Sequence, residues 1–389
     1  MIEFFIAKRH ILERKKQSLL CILSIVIGIT VLTVSVAINN GLNNNMIDNI
    51  LSISPHITVT NNGYYIEEYE SYIEEIEKIK GVKGVVPTFT NQGIIKTDNE
   101  SGSYSTGVQI QGMDFSKASK AMNLEKILVE GEIKIDEYNK VLIGSELFEQ
   151  FSLKVGEQIE LTSAENKKIN LIIGGVFKSG SLQFDSSMII LPLKTTQVIS
   201  DSGEVLRSMD IMLDNPYDAP KILPEIANIA KEYRVRTWGD INSSLLKALS
   251  LEKTVMIVLF SLIIVISGFV VGVVLNMMVR EKTKDIGILR SMGYSKNMVM
   301  RIFLLEGSIL GLSGIVFGIG LSYLIMYFLE KGIFDKLTEI YYLTSIPVEI
   351  SLKEVLIIVA ATSLIILFSS IFPSHRAAKL TPVEALKYE

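Results

Sequence analysis

Leu19-Leu20-Cys21-Ile22-Leu23-Ser24-Ile25-Val26-Ile27-Gly28-Ile29-Thr30-Val31-Leu32-Thr33-Val34-Ser35-Val36-Ala37-Ile38 carries no charge from end to end. At about 1.5 Å of rise per helical residue it reaches about 30 Å, the thickness of bilayer hydrocarbon. It is apolar on every face, whereas a helix at the surface of a soluble core keeps one polar side. The stretch therefore reads as a transmembrane helix. Ser35-Val36-Ala37 offers the small residues of a signal-peptidase site, but the run exceeds a usual signal core of about 7–15 residues. The reading is a retained helix, with Cys21 an inert thiol inside it.

Three more runs follow: Thr254–Met278, Ile302–Leu329, interrupted by Glu306, and Val355–Phe372. Lysine and arginine beside the spans orient them by the positive-inside rule. Lys8, Arg9, Arg14, Lys15 and Lys16 precede the first span, six basic residues from Arg280 to Arg301 separate the second from the third, and Arg376, Lys379 and Lys387 follow the fourth. The loop between the third and fourth spans sets only Lys331 and Lys336 against Glu330, Asp335, Glu339 and Glu349. Both termini and residues 279–301 are thus expected in the cytoplasm, and residues 39–253 outside the cytoplasmic membrane. The expected order is an amphipathic segment at 1–18, spans at 19–38, 254–278, 302–329 and 355–372, a cytoplasmic loop at 279–301, a short outer loop at 330–354 and a tail at 373–389.

Of the 389 residues 48% are hydrophobic, and the net charge is −4. Concentration of that apolar content into spans excludes a purely soluble enzyme or a disordered chain. Without a free basic patch a nucleic-acid partner is not expected. One cysteine excludes a disulfide framework. His10, His56 and His375 are scattered, no HExxH, GxSxG or CxxC pattern occurs, and there is no Gly-Lys dipeptide and so no phosphate loop. No catalytic residue and no metal site is assigned, and any ATP chemistry falls to another chain.

Between Asn39 and Lys253 helix and strand signals alternate. Tyr69, Tyr72, Ile73, Ile76 and Ile79 have helical spacing within Glu67–Lys80, and Gly81 stops that helix. Val85–Pro87 and Gly93–Ile95 read as separate short strands, Val108–Gly112 alternates, and Ile159–Leu161, Ile169–Val176, Met188–Leu193 and Met209–Leu213 read as further strands. Helices are expected over Ser145–Phe151 and Pro220–Tyr233. The result is an α+β domain of two lobes, one inserted in the other's chain path.

In Val279–Ser295, Thr283 is expected to cap a short helix that Gly293 ends. Ile286, Leu289 and Met292 form an apolar ridge ringed by charge, suited to a partner's groove; the basic residues alone would also suit a membrane-surface turn. Gly307, Gly311, Gly314, Gly318 and Ser322 have the spacing of close helix packing in lipid. Glu306 is expected to pair with Arg301, to snorkel, or to act at a functional site.

Arg280-Glu281-Lys282-Thr283-Lys284-Asp285-Ile286-Gly287-Ile288-Leu289-Arg290-Ser291-Met292-Gly293-Tyr294-Ser295 resembles the coupling loop of the MacB/FtsX/LolC–LolE superfamily of ABC permeases. Ile27–Thr30 through Asn40-Gly41, then Ile53–Ile57, are similar to that family's first helix and its exit, Gly81–Pro87 to the start of its outer domain, and Phe372–Glu389 to its closing signature. Val141–Leu147 with Leu153–Glu157, and Thr237-Trp238 with Leu251-Glu252-Lys253 before Met256, are similar to the lipoprotein-releasing LolC/LolE branch.

The resemblance implies a four-helix membrane protein with a MacB-like periplasmic core between helices 1 and 2. It implies that Lys282, Asp285, Ile286, Leu289, Arg290, Met292 and Gly293 receive motion from an ATPase subunit, which holds ATP and magnesium. Ile25, Ile29, Leu32, Val36, Phe260, Ile264, Ser267 and Val271 are the implied lining of a cargo cavity. Implied partners are that ATPase, a second copy or a paralogous permease, lipoprotein or lipidic cargo, membrane lipid and a periplasmic carrier. Where LolC-like chains carry a carrier-binding hook, this one has only Ser200-Asp201-Ser202-Gly203-Glu204-Val205. Efflux of peptides or drugs, as in MacB-like proteins, and FtsX-like signal transmission remain alternatives.

Overall fold

The computed structural model describes residues 2–99, 102–122, 124–133, 138–331 and 346–381. The acidic outer loop around Asp335 and Glu339, and the last part of the closing stretch from Pro382 onward, lie outside the described residues. The chain divides into two compact units, Met1–Asn44 with Ala248–Glu389, and Asn45–Lys247.

The first unit is helical. Among the described residues four helices are long and apolar enough to cross a membrane: Lys15–Ile53, Ser243–Glu281, Lys296–Glu330 and Leu352–Lys379. Each outruns its apolar stretch, because a helix ends where its backbone loses capping partners and not where its hydrophobicity ends. The third starts on Ser295, whose side chain accepts from the Met298 amide, and the fourth starts on a reciprocal capping box between Ser351 and Glu354. A short helix, Ile2–Glu13, precedes the first span and another, Thr283–Ser291, follows the second.

Glycines set the packing. An added β-carbon would come within 2.2 Å of Ser370 at Gly307, 2.7 Å of Ile366 at Gly311, 2.7 Å of Ile25 at Gly314 and 3.0 Å of Ile29 at Gly318. One half of the third helix thus lies against the fourth helix and the other half against the first.

The second unit is built on a sheet of ten strands: β1 (Ile57–Thr60), β2 (Val82–Asn99), β3 (Gly102–Met113), β4 (Leu128–Gly131), β5 (Lys140–Gly144), β6 (Gln158–Ser163), β7 (Lys168–Phe177), β8 (Met188–Pro192), β9 (Ser208–Leu213) and β10 (Arg234–Thr237). Their order is β10-β1-β9-β2-β3-β8-β5-β7-β4, with β6 bridging β2 and β7. One core gathers residues from both ends of the segment, among them Ile57, Ile73, Val85, Ile211, Ile226 and Trp238. Another, around Ile110, Ile143, Leu161, Ile173 and Ile189, comes from its middle.

The two short strands expected at 85–87 and 93–95 are one strand. β2 runs 18 residues and pairs with β9 over its first part and β3 over its second, with a register shift between Val82 and Gly84. The helix expected over 67–80 covers only Glu70–Ile76. The one over Pro220–Tyr233 is Ala219–Ile229.

Candidate functional site: an apolar pocket and a charged hinge

Within the helical unit a pocket of about 340 Å³ opens among the first, second and fourth spans. Leu32 and Val36 line it from the first, Met256, Phe260 and Ile264 from the second, and Ile357, Ile358 and Ala361 from the fourth. The same three helices bring Asn39, Asn40, Lys253 and Glu354 to its mouth. On each helix these polar residues sit at the end joined in the chain to the 45–247 unit or to the 330–351 loop, so apolar depth and polar mouth are ordered along one axis.

The mouth is built. Glu354 accepts from Asn40 at 2.9 Å and, through its other oxygen, from the Ser351 amide and hydroxyl at 3.0 Å each. The Lys253 ammonium stands close enough to act electrostatically on this half-exposed carboxyl. Asn39 donates to Glu252 at 2.9 Å. Among the described residues no hydrogen bond or ion pair takes the Lys253 ammonium.

Of the eight residues expected to line a cargo cavity, Leu32, Val36, Phe260 and Ile264 lie on this pocket. The other four lie off it, in contacts between helices. Ile25 and Ile29 fill the space over Gly314 and Gly318. Val271 is fully buried beside Cys21, Leu275 and Leu310. Ser267 donates to the carbonyls of Ile263 and Ser24, at 3.0 and 3.3 Å, where Gly28 lets the helices close. The fourth span's contribution was absent from the sequence reading. Asn39-Asn40, Lys253 and Glu354, polar residues at matching ends of three apolar runs, were the signal for it.

At the opposite end of the spans, Lys282 stands at the N-cap position of the short helix, and Thr283 does not cap it. The Thr283 hydroxyl instead donates back to the Val279 and Arg280 carbonyls. Gly293, at φ +96°, does end that helix, with the Tyr294 amide returning to the Leu289 carbonyl at 3.1 Å. The expected ridge needs a correction. Ile286 is 1% exposed and packs with Val279, Val299, Phe303 and Ala377, so it anchors the helix to the bundle. The apolar groups turned outward are Ile288, 47% exposed, and Met292, 72% exposed, one turn apart. Leu289 is half-buried and Arg290 bonds the Tyr294 carbonyl at 2.8 Å.

Charge ties this helix to the N-terminal one. Lys282 meets Glu13 at 2.7 Å and Asp285 at 2.8 Å, and Arg14 pairs with Glu281. The Lys282 ammonium, with help from Arg9, holds the Glu13 carboxyl down at about 2. Glu306 pairs neither with Arg301 nor with solvent. It is fully buried and meets His10 Nδ1 at 2.5 Å, with Phe303 beside the imidazole. Helical phase alone does not disclose that partner, since His10 lies 296 residues away in sequence.

Two family profiles cover this architecture: the MacB-like periplasmic core domain matches residues 18–229, and the FtsX-like permease C-terminal domain matches residues 257–382. The chain therefore belongs to the MacB/FtsX-like permeases, multi-pass membrane subunits of ABC transporters. Within them it falls in the LolC/LolE branch. It is 26% identical to the lipoprotein-releasing system transmembrane protein LolC of Xylella fastidiosa (strain 9a5c), over 96% of this chain and 94% of that one. It is 23% identical to the corresponding LolE of Haemophilus influenzae, over 98% of both. The periplasmic region of MacB from Actinobacillus actinomycetemcomitans aligns at 14% identity and a TM-score of 0.36, covering 51% of this chain and 97% of that one.

Proposed function

We propose that this chain is the permease subunit of an ABC transporter that withdraws lipoproteins from the outer leaflet of the cytoplasmic membrane. Both termini and the 279–301 loop face the cytoplasm in this reading, and a separate subunit binds and hydrolyses ATP with magnesium. The observation that carries it is the pocket among the first, second and fourth spans, apolar in depth and polar at its mouth. Burying an acyl chain there offsets its exposure to water, worth about 0.8 kcal/mol per CH2. That cost is why lifting a lipid anchor out of a bilayer needs an external energy source.

Motion enters through the helix Thr283–Ser291. Its outward Ile288 and Met292 fit a groove on the ATPase, while Lys282 through Glu13 and Ile286 through Phe303 fix the helix to the bundle, Asp285 holds Lys282, and Gly293 lets the chain turn into the third span. A second copy of the chain or a paralogous permease completes the cavity, and a periplasmic carrier would receive the cargo. The turn at 200–205 is tight, with Asp201 and Gly203 both at positive φ, and presents no arm for such a carrier.

A photocrosslinking residue in place of Ile264 or Leu32, used in intact cells, tests the cargo. Acylated proteins are the expected adducts. Peptides or phospholipid alone would overturn lipoprotein release in favour of efflux or of an FtsX-like signalling role. For the coupling face, Ile288→Asp with Met292→Asp should abolish co-purification with the ATPase while the spans stay folded. Retained co-purification would remove the assignment.

A further inference from the structure

The pocket mouth holds two opposite charges in different states. Glu354 is fixed by hydrogen bonds to both of its oxygens, whereas the Lys253 ammonium has no bonded partner among the described residues and stands near enough to bias the Glu354 carboxylate. Both look into one apolar pocket. From Leu32 to Asn40 that pocket runs about 12 Å along the first helix, a depth suited to part of an acyl chain.

We propose that the pocket binds a zwitterionic phospholipid of the surrounding leaflet, its phosphate at Lys253, its headgroup ammonium at Glu354 and an acyl chain on Phe260 and Ile358. The inference rests on the pocket being an acyl-chain site, as above, but not on the cargo being a lipoprotein. Three features select this ligand. A purely anionic head meets Lys253 but is repelled by the Glu354 carboxyl, which the Ser351 amide and hydroxyl hold in place. A purely cationic head meets the reverse conflict. A head with both charges satisfies both groups, and the Asn40 and Asn39 amides keep the acids in place without neutralising them. The bound lipid keeps the pocket filled between cycles, and an acylated cargo enters by displacing it.

The test uses the full-length chain in nanodiscs holding equal phosphatidylethanolamine and phosphatidylglycerol, with native mass spectrometry of the lipid that stays bound after the disc is removed. Phosphatidylethanolamine should be retained over phosphatidylglycerol about fivefold, against the equal bulk ratio, the scale of one partly exposed charge interaction. Glu354→Gln keeps the helix cap, because glutamine accepts the same amide bond, and should bring retention back toward the bulk ratio. Lys253→Glu should lower retention of both lipids, and Lys253→Glu with Glu354→Lys should restore the preference. Bulk proportions in the parent protein, or a preference indifferent to all three changes, would overturn the headgroup assignment. Ala361→Trp, which fills the pocket, separates the two layers of the argument. If retention survives it, the acyl-chain site itself is wrong, whereas its loss without any headgroup preference leaves that site standing.

Discussion

The membrane bundle and the 45–247 domain bury ionisable groups in opposite ways. In the bundle Glu306 is fully buried, and His10 reaches it from another helix. In the outer domain Asp210 and His56 are buried with no ion-pair partner among the described residues. Asp210, 4% exposed, has the Ser208 and Thr88 side chains beside it, and His56 Nδ1 accepts from the Leu213 amide at 2.9 Å. The difference is one of solvent. A group inside lipid has no water within reach when the structure breathes, so a partner is built in. A group inside a water-soluble core settles its desolvation by changing its proton instead. Burial accordingly pushes Asp210 up to about 6 and His56 down to about 4.

The largest test breaks the pair. His10→Leu leaves Glu306 buried without its partner, and such a loss costs about 3–5 kcal/mol. Reversible unfolding of the purified protein in mixed micelles should show it. His10→Leu with Glu306→Met should recover most of the loss, since buried pairs replaced by apolar groups of similar size are often neutral. A single substitution costing no more than an exposed ion pair would mean that the bundle tolerates a lone acid as the outer domain does, and the contrast would fail.

The next largest effect lies in the outer domain and depends on pH. Asp210 has a raised pKa, so its contribution to stability is fully present below its ordinary value of 3.8 and is lost as pH rises through about 6. The Thr88 hydroxyl already donates to the Val86 carbonyl at 3.2 Å, so toward Thr88 a protonated Asp210 can act as donor. Asp210→Asn should therefore stabilise the domain at neutral pH by up to about 3 kcal/mol and by little near pH 4. His56 runs the other way. Its depressed pKa gives stability that is present above 6.5 and lost as pH falls toward about 4. In the parent protein the two slopes oppose each other between pH 4 and 6. Hydrogen exchange of β9 amides in the full chain should show opposite pH slopes in Asp210→Asn and His56→Gln. Parallel slopes would show that neither group titrates as its burial dictates.

How much of this could be read beforehand follows from the same physics. The spans were legible because lipid admits only a closed backbone and an apolar surface, and the strands from Ile159 to Leu213 because they alternate or run apolar. β1 and β10, four residues each, carry too little pattern, and Pro87 and Gly93 divided one long strand into two. The apolar face of the helix after the second span could be placed in a segment but not in phase, so Ile286 and Ile288 exchanged faces. In the pocket, the first two helices suggested four of the lining residues, Leu32, Val36, Phe260 and Ile264. The one-dimensional cue that the fourth span, and not the third, faces it is the set of polar residues at matching run ends, Asn39-Asn40, Lys253 and Glu354. The third span's glycines fix that choice, because Ile25 and Ile29 must seat on Gly314 and Gly318 before Leu32 and Val36 can face Ile358.

The smallest expected effect concerns charges between these extremes. Glu13 lies at the edge of the bundle with its side chain 41% exposed, so water and salt reach its bond to Lys282. Their bond should do little for stability, and what it does should be present above the ordinary glutamate value of 4.5 and fade as pH falls toward about 2. Salt should erase it, since the Debye length shrinks to about 3 Å at 1 M. Glu13→Gln and the parent should therefore unfold alike at 1 M salt, whereas His10→Leu and the parent should still differ there, because no ion reaches Glu306. A Glu13→Gln difference that persisted at high salt would place Lys282 in the buried class with Glu306. The N-terminal helix would then be held to the 279–301 loop as firmly as it is to the third span.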